Sequence, residues 1–148
     1  MWISEQTIQI GLQDRNRHIA FAFDIPCDMR QLRVRTTYSP KYGTDTDRMR
    51  AWTRQALRAA YPDTEPDDAQ ADAYLPLTNH IAWSIDSPSG ALGTEHRANP
   101  DQEHTVTPQW ASSGFRPAPI TAGRWVVTAT INSVVTDRVT VTVRIEAE

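Results

Sequence analysis

The amino-acid sequence predicts an all-β fold, a two-sheet antiparallel β-sandwich of jelly-roll-like character with one α-helix inserted around residues 45–60. Two patterns and one bound lead there. Apolar residues alternate with polar ones over segment after segment, which puts every second side chain on one face of a strand. A single stretch switches to three- and four-residue spacing, the period of a helix. The length of 148 residues suits one domain able to bury a core without disulfides or metal.

Taken in order, a weaker strand is expected over Ile3 to Ile10. Ile19, Phe21, Phe23 and Ile25 then alternate with His18, Ala20, Ala22 and Asp24, and Leu32 and Val34 alternate with Arg33 and Arg35. Residues 39–77 form an excursion between two strands. Within it Met49, Trp52, Ala56, Leu57 and Ala60 make an apolar helical stripe, Thr44 or Asp45 can cap its start, and early Asp and later Arg suit the macrodipole. The stripe is expected to pack over an open end or edge of the sandwich. The segment Asp63 to Asp72 is acidic and aperiodic and reads as a solvated surface loop; it lacks the Asp-x-Asp-x-Asp-Gly spacing of a calcium loop.

Strand alternation resumes at Ile81, Trp83 and Ile85. Ser87-Pro88-Ser89-Gly90 is turn chemistry for a hairpin corner. A weaker strand is expected over Glu103 to Val106, with a short edge at Gln109 to Ser112. The two most secure strands close the chain: Trp125, Val127, Ala129 and Ile131 in one, Val139, Val141, Val143 and Ile145 in the other, joined by a turn within Asn132 to Asp137. Half-polar antiparallel strands in this number bury their apolar faces best by stacking two sheets, although periodicity alone leaves strand order open.

Composition narrows the function classes. A formal charge of −3 and a pI near 5.8 give no basic excess to bind a phosphate backbone, so no nucleic-acid partner is expected. The chain lacks the roughly 18 consecutive apolar residues of a membrane span, and its start shows no basic region followed by an apolar run. A single cysteine, Cys27, makes no intrachain disulfide and fits a reducing compartment, so a cytoplasmic location is expected.

Reactive groups are sparse. His18, His80, His96 and His104 follow no zinc-ligand spacing and read as solvated surface histidines; no metal or cofactor is expected. No Cys-His pattern surrounds Cys27, and Ser112-Ser113-Gly114 is not a nucleophile elbow. Of five tryptophans, Trp83 and Trp125 lie in apolar strand phases and Trp52 on the helix stripe. Trp2 and Trp110, with Phe115, are left as the candidate surface for a partner or ligand.

Three segments carry a resemblance: Phe23-Asp-Ile-Pro26 with Leu32-Arg-Val-Arg35 and Tyr38-Ser-Pro40; Trp83-Ser-Ile-Asp-Ser-Pro-Ser-Gly90; and Gly114-Phe-Arg-Pro-Ala-Pro-Ile-Thr-Ala-Gly-Arg-Trp-Val-Val127. Together they resemble the β-sandwich domain found ahead of the catalytic domain in PHP-type metallohydrolases of the phosphoesterase class. More loosely, the order of features is similar to the jelly-roll pre-peptidase C-terminal domain. The resemblance implies a non-catalytic accessory or interaction domain whose partner is a catalytic protein or a second copy of itself. Two alternatives remain open at this level, a carbohydrate-binding module and, more weakly, a small hydrolase.

Overall fold

From Val139 to Ala147 every odd-numbered residue is buried and every even-numbered one is partly exposed, so this last strand, β8, sits with one face in a core and one toward water. The same two-residue period organises the other strands in a computed structural model that describes residues 1–148. These are β1 (Trp2–Ile10), β2 (His18–Ile25), β3 (Leu32–Ser39), β4 (His80–Ser87), β5 (Gly90–Glu95), β6 (Asp101–Val106) and β7 (Gly123–Ser133). They form two four-stranded antiparallel sheets of order β1-β8-β3-β6 and β2-β7-β4-β5. The fold is an all-β two-sheet sandwich, as the alternation predicts.

The pairing is nested: β4 pairs with β5, β3 with β6, β2 with β7 and β1 with β8. A long antiparallel ribbon wrapped around itself gives this order, which is the double Greek key of a jelly roll. Odd-numbered strands therefore run toward one end of the sandwich. That end carries the connections 11–17, 40–79, 96–100 and 134–138; the other carries 26–31, 88–89, 107–122 and both termini.

The inward faces supply most of a 23-residue core, which Ala118, Ile120 and Val134 complete from the connections. Phe23 opposes Trp125 on β2 and β7, and Phe21 lies 6.3 Å from Trp83 between ring centroids. Trp83 and Trp125 are fully buried, as their strand phase requires. The Trp125 indole N–H donates to the Thr121 carbonyl, so the ring enters the core with its polar atom satisfied.

The excursion departs from expectation in its second half. Helix α1 (Thr46–Ala60) forms where predicted, capped by Asp45, whose carboxylate accepts the Arg48 amide at 3.0 Å. The segment read as an aperiodic loop contains a second, one-turn helix, α2 (Asp68–Asp72). Asp67 accepts the Gln70 amide and Gln70 accepts the Asp67 amide, a reciprocal capping box that can start a helix without hydrophobic periodicity. A further difference concerns an edge. The segment Gln109 to Ser112 is not a strand; it meets β6 through an isolated bridge from Ala111 to Val106 and through hydrogen bonds between Ser112 and Thr105.

No helix is long and apolar enough to cross a membrane.

Candidate functional site

A large concave feature lies at the end of the sandwich that carries the excursion. It is a cleft of about 920 Å³ between α1 and the loops beneath it. Its origin is the way α1 is seated. Met49 and Thr53, on the first half of the helix, are buried, and the Met49 sulfur packs so close to Gly43 that a Cβ there would meet it at 2.5 Å. Towards its C-terminus the helix stands off: Trp52 and Leu57 are half-buried, and Ala56, Ala59 and Ala60 are exposed. The predicted stripe thus covers the sandwich end with its first two turns and leaves the rest facing open space.

Opposite the helix the cleft is walled by Leu77, Val134 and Val135, with Leu12 and Arg15 at one side. Tyr61 and Tyr74 also line it and are 61% and 60% exposed. Polar groups in the lining are few, notably Gln55 and Asn132. Trp52 has one face under the Arg48 guanidinium, 4.7 Å from the ring centroid. Arg48 is itself paired with Asp137 at 2.9 Å.

Asn79 fixes the base of this site. It is buried, and its amide nitrogen donates to the Pro40 carbonyl at 2.8 Å and to the Thr136 hydroxyl at 2.9 Å. Its side-chain oxygen accepts the Val135 amide at 2.7 Å. One side chain therefore ties the root of the excursion to the β7–β8 turn that forms the cleft wall. Sequence reading passed over it because an asparagine before a strand carries no periodic signal.

The other face of α1 is ionic. Arg50, Arg54 and Arg58 lie four residues apart, on one side of the helix. Arg50 grips Asp72 at 2.7 and 3.0 Å, Arg54 reaches Asp68 at 3.0 Å, and Arg58 holds Glu65. Hydrogen bonds from these arginines hold the carboxyls of Asp72 and Glu65 below the usual carboxylate range. The acidic segment is thus matched by cations from its own chain. No group of three or more His, Cys, Asp or Glu side chains is placed to hold a metal ion.

A second polar cluster lies inside the sandwich, and it corrects one expectation. His104 is not solvated: it is 1% exposed, on the inward phase of β6, with its ring 5.0 Å from that of Phe115. Glu95, at the end of β5, is 4% exposed. The imidazole Nε2 meets Gln102 Oε1 at 3.1 Å, and the Arg97 amide donates to the Glu95 carboxylate at 2.8 Å. Burial pushes the His104 imidazole below its ordinary value, while the Glu95 charge pulls it up and Arg97 pushes it down. His104 Nδ1, Glu95 Oε1, Thr36 Oγ1 and Trp83 Nε1 are buried without a hydrogen-bond partner. A carboxylate near an imidazole is the raw material of acid–base catalysis, but such groups must reach the proton they move. Here the core and the Phe115 ring cover them.

The three candidate surface residues do not meet. Trp110 is 57% exposed in the connection between β6 and β7. Phe115, in the same connection, is half-buried over His104, held there by a close approach in which Gly93 leaves no room for a Cβ against the Gly114 carbonyl. Trp2 is exposed on β1, at the opposite edge of the β1-β8-β3-β6 sheet, with the Arg144 guanidinium 5.1 Å from its ring.

No protein-family model matches the chain, and neither does any curated protein. Among solved structures, a protein of Sulfurospirillum deleyianum aligns over 97% of this chain and 98% of its own, at 11% identity and a TM-score of 0.34.

Proposed function

We propose that the protein is a non-catalytic accessory β-sandwich, resembling the domain attached to PHP-type metallohydrolases, that docks a partner protein in the cleft beneath α1. The observation that carries this reading is the cleft: its volume is at the upper end of the roughly 300–1,000 Å³ of ligand-binding depressions, and its lining is mostly apolar. Its position supports the reading as well. Both termini lie at the far end of the sandwich, so a domain joined to either would leave the cleft free. The buried pair of Glu95 and His104 is the best-placed acid–base chemistry in the fold and is closed to substrate, which argues against the small-hydrolase alternative.

The test mixes the full chain with a PHP-type catalytic chain and follows complex formation by sedimentation. A complex is expected with the wild type and not with Ala56→Arg, which places a long cation in the cleft while leaving the core untouched. Turnover of phosphoester or carboxyl-ester substrates by the purified chain well above background would defeat the reading.

A further inference from the structure

The cleft has an electrostatic asymmetry that narrows what it can hold. Arg15 is the one charged residue of its lining; it is exposed and engaged in no ion pair or side-chain hydrogen bond. Most carboxylates at this end of the sandwich are committed elsewhere, Asp63 excepted, which is exposed and outside the cleft lining. Asp14 accepts the Gly11 amide and pairs with Arg17, Asp137 pairs with Arg48, and Glu65, Asp68 and Asp72 are taken by the arginines on the far face of α1. The result is an apolar trough with a single uncompensated positive charge at its side. Complementary charge fixes orientation and partner choice more than raw affinity, so this position reads as a selector.

We propose that the occupant is an apolar polypeptide segment bearing an Asp or Glu side chain that pairs with Arg15. This rests on the docking reading above and adds the chemistry of the partner. Two further features favour a polypeptide over an acyl chain. Gln55 offers an amide donor and acceptor in the lining, and Asn132, whose amide nitrogen meets His80 Nδ1 at 3.1 Å, offers its side-chain oxygen; a peptide backbone satisfies these and a hydrocarbon leaves them unpaired. Ala56, Ala59 and Ala60 present a low helix surface, over which a partner backbone approaches closely while its larger side chains enter the depression beside Trp52 and Leu57.

A displayed library of random twelve-residue peptides, panned on the full folded chain, tests this directly. The expected winners combine at least two large apolar residues with an acidic one. Synthetic versions lose about tenfold in affinity for Arg15→Glu, and lose binding to Ala56→Arg altogether. Thermal melting confirms that both variants fold. Winners that bind Arg15→Glu as well as wild type would overturn the acidic-segment proposal while leaving cleft docking intact. Winners indifferent to both substitutions, or none at all, would overturn the peptide proposal and locate any partner contact with the catalytic chain elsewhere. Dodecanoate binding more tightly than every peptide, or self-association abolished by Ala56→Arg, would replace the proposed occupant with an acyl chain or a second copy.

Discussion

The C-terminal hairpin of β7 and β8 and the excursion between β3 and β4 are attached to the same sandwich by different forces. Along the hairpin, alternate residues from Trp125 to Ile131 and from Val139 to Ala147 are buried, and both strands are central in their sheets. The excursion has a few buried anchors, chiefly Met49, Thr53 and Ala71, the hydrogen bonds of Asn79, and ion pairs on its surface. Burial of apolar area gives the hairpin its stability, whereas the excursion holds its shape through groups that can exchange with water. The difference fits a scaffold that stays fixed and a cleft whose helical wall can adjust to an occupant.

Four substitutions or conditions break this comparison at successive points. Trp125→Ala removes a fully buried indole from the centre of the core and is expected to cost about 3–5 kcal/mol in urea unfolding. A loss under 1 kcal/mol would mean that the hairpin is not the stabilising half. Asn79→Ala leaves the Val135 amide and the Pro40 carbonyl without their partner and is expected to cost about 1–3 kcal/mol. Its distinguishing sign is faster hydrogen exchange in α1, with β8 still protected; uniform loss of protection would contradict a local role.

Acidity acts next. The folded-state pKa of His104 lies below its ordinary value of 6.5, because burial disfavours the imidazolium more than Glu95 and Glu103 favour it. The unfolded chain then takes up the proton first, so the stability that His104 contributes is present above that ordinary value and declines as pH falls through it. Urea midpoints measured at pH 7.5, 6.0 and 5.0 should fall in that order, with a shallower slope for His104→Gln. A midpoint rising towards pH 5, or the same slope in the variant, would show that burial is not what governs this imidazole.

The smallest effect belongs to the ionic face of α1. Arg54→Ala removes the middle rung of the ladder, and exposed ion pairs contribute little and are screened by salt. Protease cleavage within residues 61–67 should increase modestly at low ionic strength, and the difference from wild type should vanish in about 1 M salt. Persistence of the difference in high salt would mean that Arg54 acts through packing of its stem.

These contrasts also explain what could be read from sequence. β2, β4, β7 and β8 are legible because one phase is apolar and the other is not, which is the physical meaning of a half-buried strand. β6 is not clean: Gln102 and His104 occupy the buried phase, so polarity marks both faces and His104 reads as solvated. β5, Gly-Ala-Leu-Gly-Thr-Glu, has one large apolar residue and two glycines, so only its corner at Ser87 to Gly90 shows. The cleft is harder still. Its walls come from residues 12–15, 52–61, 74–77 and 132–135, which only the nested pairing brings together. Trp52 was legible as part of a stripe, but that the stripe's second half would remain uncovered depends on how far α1 tilts off the sandwich end, which no local pattern encodes.

The nested strand pairing has a consequence in time as well as space. The partners β4 and β5 adjoin in sequence, whereas Trp2 and Glu146 lie at opposite ends of the chain and still pair. Ordering distant segments costs closure entropy before the contact is rewarded, and topologies rich in such pairs fold slowly. The β4–β5 hairpin is then the natural first ladder, with β3–β6, β2–β7 and β1–β8 added outward in turn. Until the last of these forms, β8 presents an apolar strand edge to its surroundings, so the nascent protein is most open to wrong pairing just before its ends meet.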